Sequence, residues 1–279
     1  MCRSKLAQAF RLCIEEFSDC IRNPKLYIIL LMMFFFLNRE FANELISFTS
    51  YDKIPSFWEI WPYCSCDYEK MLIIWCGYFI LISDIPMQGD RLSSFIIRTQ
   101  KWVYALSQQL FIIIFSIFYF IVIQIETAVI FSCRFNFDNR WTAYTKQVLV
   151  GEYNAPARIS FDNKPLQMYI FSAVLFLIIM FFIGMIILDF NLYVKRVVGY
   201  IVAIVLLVFD IALQIVDIPA LNWFSPVTLA RLTGINLGYN YDFPHLRYSL
   251  SVILGLIIIF TLWLYTALKT YDFQKGGTS

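Results

Sequence analysis

Histidine occurs once in the 279 residues, and charged side chains make up only 15% of the chain. The single His245 rules out HExxH and every metal or catalytic set that needs two histidines. No GxSxG is present. The nearest approach to a phosphate loop, Lys275-Gly276-Gly277, is a tail tripeptide without the spacing of a Walker A motif. The net charge of +2 leaves no broad basic surface for nucleic acid. Scarcity of charge also excludes a soluble or disordered chain, because both need far more polar surface than this one has.

Cysteine is present but not in a framework. Of the seven, Cys2, Cys13 and Cys20 lie near the N-terminus, Cys76 lies in an apolar run, and Cys64, Cys66 and Cys133 lie near polar segments. The Cys64-Ser65-Cys66 triplet has no second pair and no adjacent histidine, so zinc is not expected. A bridge from Cys64 or Cys66 to Cys133 would need both segments on an oxidising side. Incidental thiols are the simpler expectation.

Apolar side chains dominate, at 60% of the chain with 19% aromatic and a mean hydropathy of +0.67. The pattern predicts an all-α polytopic membrane protein. About six runs approach the roughly 20 apolar residues that a span requires: 26–47, 69–84, 103–131, 166–189, 197–216 and 248–268. The first is the least clean, since Asn38, Arg39, Glu40 and Glu44 follow its apolar stretch, so its outer end is expected to face protein or headgroups. Residues 5–22 precede it as an amphipathic helix with Leu6, Phe10, Ile14, Phe17 and Ile21 at helical spacing. That helix is expected to lie at the cytoplasmic interface, with Asn23-Pro24 ending it. The organisation is thus an interfacial helix at 1–25, a membrane domain at 26–268 and a tail at 269–279.

Lysine and arginine orient the spans. Twelve fall in the segments that hold both termini and ten in the opposite set, five of them in the long segment 132–165. Both termini are therefore expected in the cytoplasm. Segments 48–68, 132–165 and 217–247 are then external, and Trp58, Trp61, Trp141 and Trp223 become outer interfacial anchors, with Trp102 an inner one. Residues 221–237 are too apolar for a plain loop, which predicts a short helix folding back into the outer leaflet.

Ionisable and polar groups inside spans are functional candidates. Asp210 sits roughly 20 Å into its run at about 1.5 Å per residue. Gln214 and Asp217 share its face, and Ala203 and Gly199 continue the stripe inward, a pattern of a helix that faces other helices. A second stripe, Gln109, Ser116, Tyr119 and Glu126, runs along 103–131. These stripes line a translocation path or subunit contact, or they only hold the bundle together; the residues leave both open.

The segment SDIPMQGDRLSSFIIRTQKWVYALSQQL, residues 83–110, resembles the loop between the second and third spans in permease subunits of type 2 ABC exporters. The residues that carry the resemblance are Gly89-Asp90-Arg91, Phe95-Ile96-Ile97, Arg98 and Lys101-Trp102. The layout is similar too, from the amphipathic helix and Asn-Pro to the FSPVTLARL run at 224–232. The basic cluster is reduced to Arg98 and Lys101, and the second external segment is longer than usual. The resemblance implies a half-transporter in a bacterial plasma membrane. It would pair with an identical or different permease and be driven by cytoplasmic ATPase subunits that hold ATP and Mg. The chain itself would carry no cofactor and would not be an enzyme. Arg91, Phe95, Ile96, Ile97, Arg98, Lys101 and Trp102 would then dock the ATPase. A membrane sensor or immunity protein, or an ion-coupled transporter, are the competing classes.

Overall fold

The computed structural model describes residues 2–50, 54–83, 85, 101–131, 134–151, 163–193, 197–216, 219–230, 232, 235 and 244–270. The described residues are helical with no strand; Ser56 and Asn136 make one isolated parallel bridge. In chain order the helices are α1 (Cys2–Arg22), α2 (Pro24–Ser50), α3 (Phe57–Cys66), α4 (Tyr68–Ile82), α5 (Lys101–Ile130), α6 (Ala143–Gly151), α7 (Pro165–Tyr193), α8 (Val198–Val216) and α9 (Pro219–Asn222). A 3-10 turn at Thr228–Ala230 and α10 (Leu246–Thr270) complete the order.

Among the described residues, three helices are long and apolar enough to cross a membrane: Lys101–Ile130, Pro165–Leu192 and Leu246–Thr266. A fourth is added if Lys5–Arg22 and Pro24–Ala42, bent by 62° at Asn23, count as one broken span. Val198–Leu213 is a shorter apolar helix.

Composition decides where each helix sits. α7 is apolar all round, and such a helix belongs in the middle. It packs against α3, α5, α8 and α10, and 67% of its apolar stretch is buried, against 17% for that of α10. α5 is divided lengthwise. Ile113, Ile117, Ile121 and Ile125 stand exposed four residues apart, while Ser116, Tyr119 and Glu126 are buried on the other side. An outward apolar face over an inward polar one suits a lipid solvent and not water.

Glycine lets three helices approach closely. A Cβ on Gly184 of α7 would fall 2.5 Å from Ile112 Cγ2 of α5, and one on Gly199 of α8 would fall 2.5 Å from the Ile187 carbonyl oxygen of α7. Gly77 of α4 is likewise pressed against Met33 of α2 and Tyr119 of α5.

One element is new and one expectation is corrected. Segment 48–68 contains α3, which is buried from Glu59 to Cys66 and packs against α7. Its ten residues are too few to span, so neither length nor charge exposes it in the sequence. Within it Trp61 is not an interfacial anchor. It is 1% exposed and packs edge-on to Phe120 and Phe176. In α1, Ala9, Cys13 and Cys20 are buried, and Glu16 and Phe17 meet Gln108 and Phe118 of α5, whereas Leu6, Phe10 and Ile14 are exposed.

Candidate functional site

The inward face of α8 is built by a small-residue register. Gly199 and Ala203 let it lie on α7, which brings Leu207 and Asp210 into the interior on the same stripe. Asp210 is 4% exposed. The chain then turns back after α9, and the 3-10 turn delivers Thr228, whose hydroxyl donates to Asp210 Oδ1 at 2.5 Å. The same turn is held from below by Ser225, whose Oγ accepts from the Thr228 N–H at 3.3 Å. Ser225, Thr228 and Leu229 are fully buried. Gln214's side chain and Asp217 lie outside the described residues.

Asp210 lines a cleft between α3, α4, α7, α8 and residues Val227 and Leu232. Its empty volume is about 530 Å³ with the open solvent at its mouth included. Its polar lining is Ser65, Asp67, Tyr68, Ser172 and Asp210, set among Trp75, Phe176, Leu207 and other apolar groups.

Asp67 ties this cleft to a buried ionic cluster. It caps α4, accepting the Glu69 N–H at 2.9 Å, and also pairs with Lys70. Lys70 Nζ donates in addition to Glu44 Oε1 at 2.5 Å, joining α4 to α2. The ammonium sits over the Phe41 and Tyr63 rings, 5.1 and 5.4 Å from their centroids. Lys70 is 2% exposed. Two carboxylates therefore share one buried cation, and Glu44 Oε2 has no hydrogen-bond partner. At the end of the first apolar run Glu44 thus faces protein, whereas Asn38 and Arg39 are exposed.

The α5 stripe is buried throughout. Tyr119 donates to the Ile74 carbonyl at 2.6 Å and lies 3.0 Å from Met33 Sδ. Ser116 Oγ lies 3.1 Å from the Tyr78 hydroxyl, which donates to the Met180 carbonyl at 2.9 Å. Tyr119 and Tyr78 thus cross-link α2, α4, α5 and α7. Gln109 Nε2 and Glu126 Oε2, at either end, have no partner. The stripe therefore does not form one continuous polar chain.

Of the expected ATPase-docking residues, Arg91, Phe95, Ile96, Ile97 and Arg98 lie outside the described residues. Lys101 and Trp102 open α5, and the Trp102 ring receives the Lys5 ammonium of α1 at 5.6 Å. Deeper along the same seam, Gln108 Nε2 donates to Glu16 Oε1 at 2.6 Å. Burial pushes the Glu16 carboxyl up to about 7, against the opposing pull of the Gln108 hydrogen bond.

Sequence reasoning did not single out three groups. Glu44, Asp67 and Lys70 read in the sequence only as flanking charge. Glu59 is buried and accepts the Thr142 N–H and hydroxyl at 2.9 and 2.8 Å. Asp189 is 2% exposed with neither carboxylate oxygen hydrogen-bonded, and Asn191 nearby donates to the Ile85 carbonyl at 2.7 Å. The available signal for Asp189 is its position inside an otherwise apolar run. Cys64 and Cys66 are buried, and Cys133 lies outside the described residues. Among the described residues no group of His, Cys, Asp or Glu is arranged to hold a metal.

The chain matches no protein-family model, and no curated protein or solved structure matches it.

Proposed function

We propose that the chain is the membrane-spanning half of an ATP-driven exporter of the type 2 ABC class. In this reading α2, α4, α5, α7, α8 and α10 are six spans of a bacterial plasma-membrane protein with both termini in the cytoplasm. α1 is an amphipathic interfacial helix, with Leu6, Phe10 and Ile14 turned to the headgroup layer. The partners are a second permease, identical or different, and cytoplasmic ATPase subunits that hold ATP and Mg.

One observation carries the proposal. α1 meets α2 at 62° and lies along α5 next to Lys101 and Trp102, where segment 85–101 joins that helix. A helix so placed can transmit a push from an ATPase to the third span. The inward stripes of α5 and α8, and the fold-back that carries Thr228 to Asp210, support a polar interior between the spans.

The test is at segment 85–101. Phe95→Ser with Ile96→Ser removes apolar anchors, and Arg98→Glu reverses a flanking charge. Removal of a true anchor typically costs more than about 1 kcal/mol of binding. Each variant should insert normally and, reconstituted with the ATPase that purifies with the parent, lose at least about fivefold of substrate-stimulated hydrolysis. Arg158→Glu, on the other side, should leave hydrolysis unchanged. Parental hydrolysis and transport in the cytoplasmic variants, or the absence of any copurifying ATPase, would overturn the reading.

A further inference from the structure

We infer that Asp189 of α7 is an occluded proton-binding site, occupied in the packed bundle, so that the residue stands there as a neutral carboxylic acid. The inference does not depend on the transport reading. Asp189 is 2% exposed, and neither of its carboxylate oxygens has a hydrogen-bond partner. The residues one turn away on the same helix face, Met185, Ile186 and Leu192, are apolar and buried with it. The nearest amide on the same helix does not serve it. Asn191 donates to the Ile85 carbonyl at 2.7 Å, and a residue two positions on does not share a helix face.

Other buried acids show what this protein provides when a carboxylate is to stay charged. Glu59 accepts two hydrogen bonds from Thr142. Glu44 and Asp67 share the Lys70 ammonium. Asp210 accepts the Thr228 hydroxyl proton. Asp189 receives no such donor. The elements packed on α7 are α3, α5, α8, α10 and the 3-10 turn. α3 meets the other half of α7, where Trp61 packs on Phe176, and the turn sits beside Asp210 in that half. Toward the Asp189 end, the titratable groups with described side chains are Lys101 and Tyr104 of α5, Tyr200 of α8 and Tyr265 of α10. None of them hydrogen-bonds the Asp189 carboxylate. An ionised carboxylate in such a place has lost its water and gained no donor, whereas the neutral acid has far less hydration to lose. The proton comes from water and returns to it. The carboxyl O–H is the one bond that forms or breaks, so no co-reactant is needed. With apolar side chains closed over the group, loading and release require the helices around α7 to part. Asp189 therefore ties proton binding to the packing of α7.

The experiment is infrared spectroscopy of the full chain in nanodiscs at neutral pH, with aspartate labelled by heavy carbon at its side-chain carboxyl. The difference between the parent and Asp189→Asn should show the loss of one neutral-acid C=O band. That band should move with the label and lie at the high-frequency end of the acid range, as befits a carboxyl without hydrogen bonds. The carboxylate stretches should be unchanged. Asp189→Leu should lose the same band, so one variant decides if the other fails to fold. The parent alone decides as well, because its labelled spectrum must contain a neutral acid free of hydrogen bonds, unlike Asp210 with its Thr228 donor. After transfer to heavy water the band should keep its protonated position long after exposed backbone amides have exchanged. A difference spectrum that loses carboxylate stretches instead would show Asp189 ionised and would overturn the inference. So would a parent spectrum with no labelled neutral-acid band, or a band that exchanges as fast as exposed amides. No ATPase is present, so the outcome is read apart from the coupling test.

Discussion

Thr228 donates its hydroxyl proton to Asp210 Oδ1 across 2.5 Å, fastening a 3-10 turn to a helix that ends before it. Both residues are buried. Thr228→Val removes one donor to a buried carboxylate and should lower stability by about 1–3 kcal/mol. Adding Asp210→Leu should recover part of that loss, because the carboxylate that lost its hydroxyl donor is then gone. Apparent Tm in detergent across the double-mutant cycle measures the coupling. Strictly additive losses would show that the two side chains act separately.

Lys70 holds two carboxylates at once, Glu44 on α2 and Asp67 at the start of α4. Lys70→Met leaves both acids facing each other in a buried site and should cost about 3–5 kcal/mol. Combining it with Glu44→Gln and Asp67→Asn should restore most of the stability. The two amides are neutral, and the amide oxygen introduced by Asp67→Asn can still accept the Glu69 N–H. Thermal unfolding of the parent, the single variant and the combinations is the measurement. A Lys70→Met protein as stable as the parent would mean that the cation contributes nothing.

Glycine separates packed from open helix faces. A Cβ at Gly199 would fall 2.5 Å from the backbone oxygen of Ile187, which cannot swing aside, whereas one at Gly255 meets nothing within 4 Å. Gly199→Ala should therefore part α8 from α7 and lower apparent Tm. Gly255→Ala should raise it slightly, by up to the ~1 kcal/mol helix preference of alanine over glycine. Equal effects at the two sites would contradict the packing of α8.

How far these features can be read without coordinates differs by residue. Asp210 is legible because Ala203 and Gly199 repeat beneath it at helical spacing, so its inward face follows from one helix alone. The division of α5 is legible for the same reason. The Glu44–Lys70 pair is not, because the two residues meet only after α2 and α4 pack, and each alone looks like charge at a span end. α3 escapes because ten residues with an internal Pro62 resemble neither a span nor a long amphipathic helix. The outcome for Trp61 shows why interfacial residues are hard to assign: an indole suits the membrane boundary and a buried aromatic cluster equally.

Glu16 supplies a pH test of the seam between α1 and α5. Its carboxyl is half-buried, accepts from Gln108 at 2.6 Å, and is raised to about 7 from an ordinary 4.5, chiefly by burial. A carboxyl raised on folding holds its proton more tightly in the folded state. Between about 4.5 and 7 the folded protein therefore binds more protons than the unfolded chain, and stability falls as pH rises. The contribution is fully present below the unfolded value and is lost once the pH passes the folded one. Docking of α1 should thus be firmer at pH 5 than at pH 8. Partial solvent access holds the difference to about 1–2 kcal/mol. Glu16→Gln mimics the protonated form, so it should abolish this part of the pH dependence and resemble the parent at pH 5. Gln108→Leu removes the bond that favours the charged form and should steepen the dependence. Hydrogen exchange of the α1 amides, measured at both pH values in nanodiscs, reports the docking directly. Identical protection at pH 5 and pH 8 in the parent would remove Glu16 as the controlling group. A pH effect that survives intact in Glu16→Gln would assign it to another residue of the seam.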